Sequence, residues 1–280
     1  MSFSKSRADN IISKQIAILK ATAFTTYKEW AAYRSHMAVS IFVGPVFYLV
    51  QVFIWTAVYS TKETLTGLTL EQMLVYFGIA AVINYFIYDS CDWNLQMLIR
   101  TGKFITFMLR PVSHCYFAFC QKIGHRLLAL WLEFIPVYFL FLFVFKIRLV
   151  PANIFWAILS ISLSFILIFL INYCIGITGF WLTKTEGLRR AFLVIRDICA
   201  GTFVPLTLFP QLFQNILFFL PFQFIAYVPI RVFIGSYELA GISMSIPEIV
   251  GLQALYVIVM YLIYKFLWFL GIKRFTGVGA

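Results

Sequence analysis

The chain has 280 residues, of which 62% are hydrophobic and 12% are charged. Soluble domains are about half apolar and about a quarter charged, so this composition excludes an ordinary water-soluble globule and indicates a membrane protein. The net charge of +11 would point to nucleic acid in a soluble protein. Here the basic residues lie between long apolar blocks, so we expect the lipid bilayer, and no nucleic acid, as their partner.

The first segment, residues 1–36, has the pattern of an amphipathic helix. Apolar side chains recur at helical spacing and form one face: Ile12, Ile16, Leu19, Ala23, Tyr27 and Trp30. Lys14, Lys20 and Lys28 lie largely off that face. Such a helix is expected to lie in the inner membrane interface rather than to span the bilayer. Two interpretations are open, a plain basic anchor and an elbow helix that also contacts a cytosolic partner.

Six blocks of membrane-spanning length follow in residues 37–280. They are residues 37–60, 72–88, 127–145, 154–182, 198–231 and 249–272. A helix needs about 20 apolar residues to cross the hydrocarbon core, where no water can pair with the backbone. The sequence therefore predicts an all-α polytopic membrane protein, with a six-helix transmembrane domain after the N-terminal helix.

The basic residues predict the orientation of these blocks. With six crossings and the N-terminus inside, most of the 22 lysines and arginines fall in inner segments. Only Lys62, Lys146, Arg148 and Arg231 fall outside. Because cytoplasmic loops carry an excess of Lys and Arg, both termini are predicted to be cytoplasmic.

The inner loop at residues 94–111 has the pattern of a short basic amphipathic helix. One stripe carries Leu95, Leu98, Gly102, Ile105 and Leu109, and the opposite one carries Arg100, Lys103, Phe107 and Arg110. Gly102 permits a bend, and Pro111 can begin the next helix. Such a helix could transmit force from a cytosolic machine. The alternative is a solvated positive loop.

The fifth block is interrupted by Pro205, Pro210, Pro221 and Pro229. The stretch from Pro210 to Pro221 allows about 15 Å of helix, which is too short to cross the bilayer. We therefore expect short re-entrant pieces on the outer side, at about residues 205–231. The polar residues available there for a translocation path are Gln211, Gln214, Asn215 and Gln223. The alternative is a proline-kinked helix packed against lipid.

Glu133 interrupts the third block, and an ionisable residue inside a span is by default a candidate for the translocation path. Protonation, or pairing with Arg126, would instead make it structural. Asp89 and Asp92 are expected to meet the basic loop beside them. Asn172 is expected to form a hydrogen bond between helices.

Chemistry-bearing motifs are missing from the sequence. It contains no GxxxxGK[ST] motif, so the chain is not expected to bind ATP or to be an enzyme. The cysteines form no CxxC pair, so neither a disulfide framework nor a metal site is expected.

The string IRTGKFITFMLRPVS resembles the inner-loop signature of membrane subunits of type-2 ATP-binding-cassette (ABC) exporters, in the branch often built from two different permeases and one ATPase. Gly102, Leu109, Arg110 and Pro111 match it, whereas Ile105 stands where many relatives carry an acid. The proline-punctuated segment at residues 201–236 is similar to the family's outer segment after the fifth helix.

The resemblance implies a permease subunit that forms half of a translocation path in a bacterial inner membrane and works in export. Its implied partners are two copies of an ABC ATPase, which bind ATP and Mg²⁺, and a second permease, more often non-identical than identical. Arg100, Lys103 and Arg110 would help to dock the ATPase. Two other classes are open: an ion-gradient-driven transporter or channel that uses Glu133, and a non-transporting membrane anchor.

Overall fold

The computed structural model describes residues 2–33, 39–60, 64–65, 68–88, 90–147, 149–182 and 186–275, with side chains from residue 13 onward apart from that of residue 65. The helices are α1 (Ser2–Ala32), α2 (Val43–Tyr59), α3 (Leu70–Ile87), α4 (Cys91–Arg100), α5 (Ile105–Met108), α6 (His114–Ala129), α7 (Ile135–Phe143), α8 (Ile154–Ile177), α9 (Glu186–Cys199), α10 (Gln211–Phe219), α11 (Tyr227–Ile234) and α12 (Ile246–Ile272). Two antiparallel hairpins pair β1 (Thr64–Leu65) with β2 (Leu68–Thr69), and β3 (Tyr237–Leu239) with β4 (Ile242–Met244).

Four helical stretches of the described chain are long and apolar enough to cross a membrane. They are Leu70–Arg100, His114–Phe143, Ile154–Phe180 and Ile246–Ile272. A shorter apolar helix, α2, has 17 residues. The prediction of an all-α membrane protein is confirmed, and the second, fourth and sixth predicted blocks coincide closely with α3, α8 and α12. The count of six crossings stays a prediction.

The core surrounds α8, which packs against α3, α4, α11 and α12. The part of α8 from Leu167 to Ile177 is buried almost throughout. Polar side chains of α8 pair with neighbouring helices. Nearer its start, the Ser160 hydroxyl donates to the Gln253 side chain of α12 at 2.8 Å. An apolar helix in lipid gains no hydrophobic attraction to its neighbours, so such hydrogen bonds and close packing hold the bundle together.

The helical stretch His114–Phe143 corresponds to the third predicted block and begins earlier in the chain than predicted. The Ser113 side chain accepts a hydrogen bond from the Tyr116 amide and so caps α6, which makes His114 the first residue of the helix. Pro111 is exposed and does not start it, so that expectation is wrong. A π-helical turn at Leu130–Phe134 joins α6 to α7. Pro136 has no amide hydrogen to continue the α-helical pattern, which accounts for the wider turn.

The fifth block differs most from its prediction. Helix α9 ends at Cys199, close to residue 198, where the fifth block was predicted to begin, and Gly201 follows with φ of +80°. That left-handed conformation favours glycine and ends the helix. The chain then continues as short pieces, the turn at Leu206–Leu208 and helices α10 and α11. Helix α10 lies between Pro210 and Pro221, as the proline spacing predicts.

Helix α1 runs parallel to α6 and touches it closely. The Tyr116 hydroxyl donates to the Gln15 carbonyl at 2.7 Å, and about two turns further along both helices Gly124 faces Ala23. Ala23 is buried, whereas Ile16 and Trp30 remain largely exposed, so only part of the predicted apolar face is covered by protein. The Ile12 side chain lies outside the described residues.

We expect Gly124→Ala to weaken the contact between α1 and α6, because the added Cβ would overlap the Ala23 carbonyl. Overpacking of this kind costs about 1–3 kcal/mol, which exceeds the helix-propensity gain of up to about 1 kcal/mol. The variant should melt at a lower temperature in detergent and expose α1 to protease. Gly251→Ala in α12 is the matched control, since nothing lies within 4 Å of its Cβ. Equal melting temperatures for both variants would contradict the packing argument.

Candidate functional site

The inner loop is not the single helix that the pattern at residues 94–111 predicts. Helix α4 ends at Arg100, and Gly102 has φ of +68°, a left-handed conformation that stops the helix. One further turn, α5, follows before the chain reaches Ser113. We call residues 101–113 the inner connector. The bend that Gly102 permits is therefore observed, and it breaks the two predicted stripes.

A buried aromatic side chain anchors the inner connector. Phe104 is 2% exposed, and its ring packs edge-on against His114, Phe180 and Trp268 at centroid distances of 5.5–5.8 Å. His114 in turn bonds through Nδ1 to the Tyr173 hydroxyl of α8 at 2.9 Å. The connector is thus fixed to the base of the bundle at two points, through the Phe104 ring and through His114, the residue that follows the connector.

The remaining surface of the connector is exposed and mixes apolar with cationic groups. Leu109 is 84% exposed, and Ile105 and Met108 are about half exposed. Lys103, Arg110 and Pro111 are also exposed, and the Arg110 guanidinium lies 4.3 Å from the Phe107 ring centroid. Of the six residues predicted for ATPase coupling, Arg100 ends α4, and the other five lie in the connector.

Two ion pairs join α4 to α9. Arg100 and Glu186 form an exposed pair with a 3.4 Å contact. Asp92, 0% exposed, pairs with Arg189. Asp92 was expected to meet the basic loop beside it, and that expectation is wrong because the Arg189 side chain of α9 reaches it instead. Asp89 lies outside the described residues.

A further contact fixes α9 to the core. Arg196 donates to the Asn172 side chain of α8 at 3.0 Å and pairs with Asp197 at 2.7 Å. The prediction that Asn172 bonds between helices is confirmed. Because Asn172 is fully buried, this contact places a guanidinium against the core of the bundle.

A cavity of about 910 Å³ opens between α1, α3, α4 and α6. Glu133, 6% exposed, lines it and accepts a hydrogen bond from the Ser40 hydroxyl. Lys103 and Phe107 of the inner connector line it as well. The cavity therefore brings one predicted path residue together with one predicted coupling residue.

Tyr85 ties the start of α2 to this cavity. Its hydroxyl accepts from the Gly44 amide and donates to the Ile41 carbonyl, both at 2.8 Å. Its own carbonyl accepts from the Arg126 guanidinium at 2.6 Å. A Cβ at Gly44 would lie 2.6 Å from the Tyr85 ring, so the two helices approach closely here. One residue of α3 thus connects α2 with α6.

The four outer path candidates are absent from the described lining of that cavity. Gln223 is fully buried, donates to the Phe218 carbonyl at 2.6 Å and accepts from the Tyr237 hydroxyl at 2.7 Å. Burial raises the pKa of Tyr237 above its usual range, so this hydroxyl remains a donor.

Gln214 has a similar position in the outer segment. It donates to the Thr207 and Phe209 carbonyls and accepts from the Ala240 amide. Gln211 and Asn215 are exposed and bond to each other at 3.2 Å. The outer segment therefore contains one exposed polar pair and two glutamines whose side chains form hydrogen bonds with backbone groups between the short helices.

The family model described as "ABC-2 family transporter protein" matches residues 46–279. The chain belongs to the ABC-2 transporter family. No curated protein and no solved structure matches it in the corresponding searches. Membership confirms the coarse resemblance, that of an ABC-2 type permease, a multi-pass membrane subunit whose family implies an ATPase partner.

The cavity of this ABC-2 protein was not predicted from the sequence. Lys122 and Arg126 were assigned to a loop between spans, whereas they lie on α6 and line the cavity. Gln121, Lys122, His125 and Arg126 are spaced so that they share one helix face, a signal that was present in the sequence. This helical spacing can be recognised once Ser113 is identified as the residue that caps α6.

We expect Asp92→Asn to destabilise the protein by about 3 kcal/mol, because removing one partner of a buried ion pair leaves the other charge uncompensated. Glu186→Gln breaks the exposed pair between the same two helices and should cost at most about 1 kcal/mol. Denaturant or thermal unfolding in detergent measures both. Similar losses for the two variants would show that burial of Asp92 does not set the strength of the contact.

Proposed function

We propose that the chain is the transmembrane permease subunit of an ATP-driven ABC exporter, which forms half of a translocation path and couples to a separate ATPase subunit. The observation that carries the proposal is the inner connector of an ABC-2 family protein. It is fixed to the bundle by Phe104 and exposes apolar and cationic side chains on its other side. Such a surface suits a protein partner that pushes on the bundle.

The contacts of the connector supply a route for that push. Displacement of residues 101–113 acts on the end of α4 directly and on α6 through His114. Asp92 and Arg189 then couple α4 to α9. Packed helices move as rigid bodies, so force on the connector would rock these three helices together. Arg100, Gly102, Lys103, Leu109, Arg110 and Pro111 are the proposed coupling residues.

The proposed topology has six crossings with both termini in the cytoplasm of a bacterium, and α1 as an elbow helix at the inner face of its cell membrane. The distribution of basic residues supports it. So does the position of α1, since its residues Gln15 and Ala23 lie beside Tyr116 and Gly124, in the part of α6 that carries Lys122. Residues 205–231 would form the outer re-entrant segment.

The path itself would be completed by a second permease, identical or not, with two ATPase subunits that bind ATP and Mg²⁺. Glu133 is its proposed inner polar residue. Gln211 and Asn215 are the proposed outer ones, since their side chains are exposed. Gln214 and Gln223 would shape the outer end through their backbone hydrogen bonds.

The test is charge reversal on the connector side. The triple variant Arg100→Glu, Lys103→Glu and Arg110→Glu should lose the copurifying ATPase or should uncouple ATP turnover from export, because it inverts the charge of the docking surface. The control is Lys146→Glu, which reverses an exposed lysine that the proposed topology places on the outer side, and it should keep the ATPase. Affinity purification in mild detergent, with every copurifying chain identified and counted, measures the outcome.

Unchanged ATP turnover and export in the triple variant would remove the coupling assignment. Transport by the isolated chain in liposomes without nucleotide would instead favour an ion-gradient mechanism that uses Glu133. Partner binding with no solute transported under any condition would favour a membrane anchor.

A further inference from the structure

The cavity of about 910 Å³ has one wall rich in nitrogen donors. That wall is a face of α6, and its donors are Gln121, Lys122, His125 and Arg126. These residues occupy two successive turns of one helix, so their side chains point to the same side. Lys122 also reaches across to the Ser90 hydroxyl at 3.2 Å, which places its ammonium group between α6 and the start of α4.

Cations outnumber carboxylates along the described lining. Lys103, Lys122 and Arg126 line the cavity with Glu29 and Glu133. Glu29 is exposed on α1, and the carboxylate of Glu133 already accepts the Ser40 hydroxyl. Among the described lining residues, three cations face two carboxylates, which favours an anion over a cation.

The rest of the wall is aromatic. Its members are Trp30, Tyr85, Tyr88, Trp93, Phe107 and Phe117. Tyr88, Trp93 and Trp30 are more than a third exposed, so they form the rim rather than the interior. Trp and Tyr side chains concentrate at the headgroup level of a bilayer, which places the opening at the inner interface, where amphiphiles lie.

We propose that this cavity binds an anionic amphiphile of the inner leaflet, with its phosphoryl or carboxylate group against Lys122 and Arg126 and its apolar chain along the aromatic wall. The volume lies near the top of the range of about 300–1,000 Å³ for small-molecule sites. The inference names a substrate class and rests on the proposed function for the statement that the ligand is cargo. Binding itself is tested without an ATPase.

The binding experiment compares three probes on the purified full chain in a non-ionic detergent, by tryptophan fluorescence and native mass spectrometry. They are palmitoyl lysophosphatidylglycerol, palmitoyl lysophosphatidylcholine and glycerol 3-phosphate. The anionic lysolipid should bind about 10-fold more tightly than the zwitterionic one, as expected for one added charge-assisted contact. It should also bind at least about 10-fold more tightly than the chainless phosphate, because the latter cannot use the aromatic wall.

The variants test the assigned cation. Lys122→Gln should abolish the preference for the anionic lysolipid, whereas Lys122→Arg should keep it. Lys20→Gln, an exposed lysine of α1 away from the cavity, is the matched control and should bind as the wild type does. Equal binding of the two lysolipids, an unchanged preference in Lys122→Gln, or tighter binding of a single-chain quaternary ammonium amphiphile would overturn the proposal.

A second measurement separates this inference from the proposed function. In the complex with its ATPase, the anionic lysolipid should stimulate ATP turnover in the wild type and not in Lys122→Gln. A chain that shows the anionic preference but associates with no ATPase would retain the binding site and refute the exporter. An assembled, exporting complex without the preference would refute the binding site and retain the exporter.

Discussion

A backbone that leaves helical pairing inside a membrane has to find its partners within the protein, and this requirement accounts for the hydrogen bonds of the outer segment. In the outer segment the partners are side-chain amides and hydroxyls. The side-chain amides of Gln214 and Gln223 donate to backbone carbonyls near the prolines that interrupt the helices. The Tyr76 hydroxyl donates to the Gly201 carbonyl at 2.7 Å. In the inner connector the Phe104 amide returns to the Leu98 carbonyl at 2.9 Å, while the Phe104 ring fills the base of the bundle.

This difference between the two ends fits different mechanical tasks. The outer pieces are tied by many hydrogen bonds to the hairpin of β3 and β4, since Tyr227 donates to Glu238 and Tyr237 to Gln223. They therefore form a unit that resists deformation. The inner connector is held mainly by the ring contacts of Phe104 and Phe107, and it leaves Leu109 exposed. A partner that binds there can grip a surface without first breaking contacts within the chain.

The sequence predicted the elements whose signal is local and failed where distant contacts decide. Apolar length was enough for α8 and for α12, which Lys265 alone interrupts after its first turn, and the spacing of Pro210 and Pro221 was enough for α10. The start of α6 was missed because residues 114–126 carry charges, which in the fold line a cavity beside α1. A charged helix next to an apolar block reads as a loop when only hydropathy is considered.

The conformation of the candidate site could not be predicted for the same reason. The signature Gly102 to Pro111 drew attention to this stretch of the chain, and its coupling role stays a prediction, but the signature could not show that Gly102 ends the helix. Asp92 was assigned to its neighbours in sequence because proximity along the chain is the only proximity a sequence shows. Its partner Arg189 lies on a helix that follows another span. Buried ion pairs between distant helices thus require the tertiary structure.

The connector and the cavity share Thr101, Lys103 and Phe107, and this sharing links the two proposals physically. An ATPase that docked on the connector, as proposed, would change the position or the freedom of these side chains. A ligand in the cavity would contact the same side chains from the opposite side. Thermodynamic linkage requires that each binding event alter the affinity of the other by the same factor. Under both proposals the ATPase would sense cargo occupancy through these shared residues, without a conformational signal that has to cross the bundle.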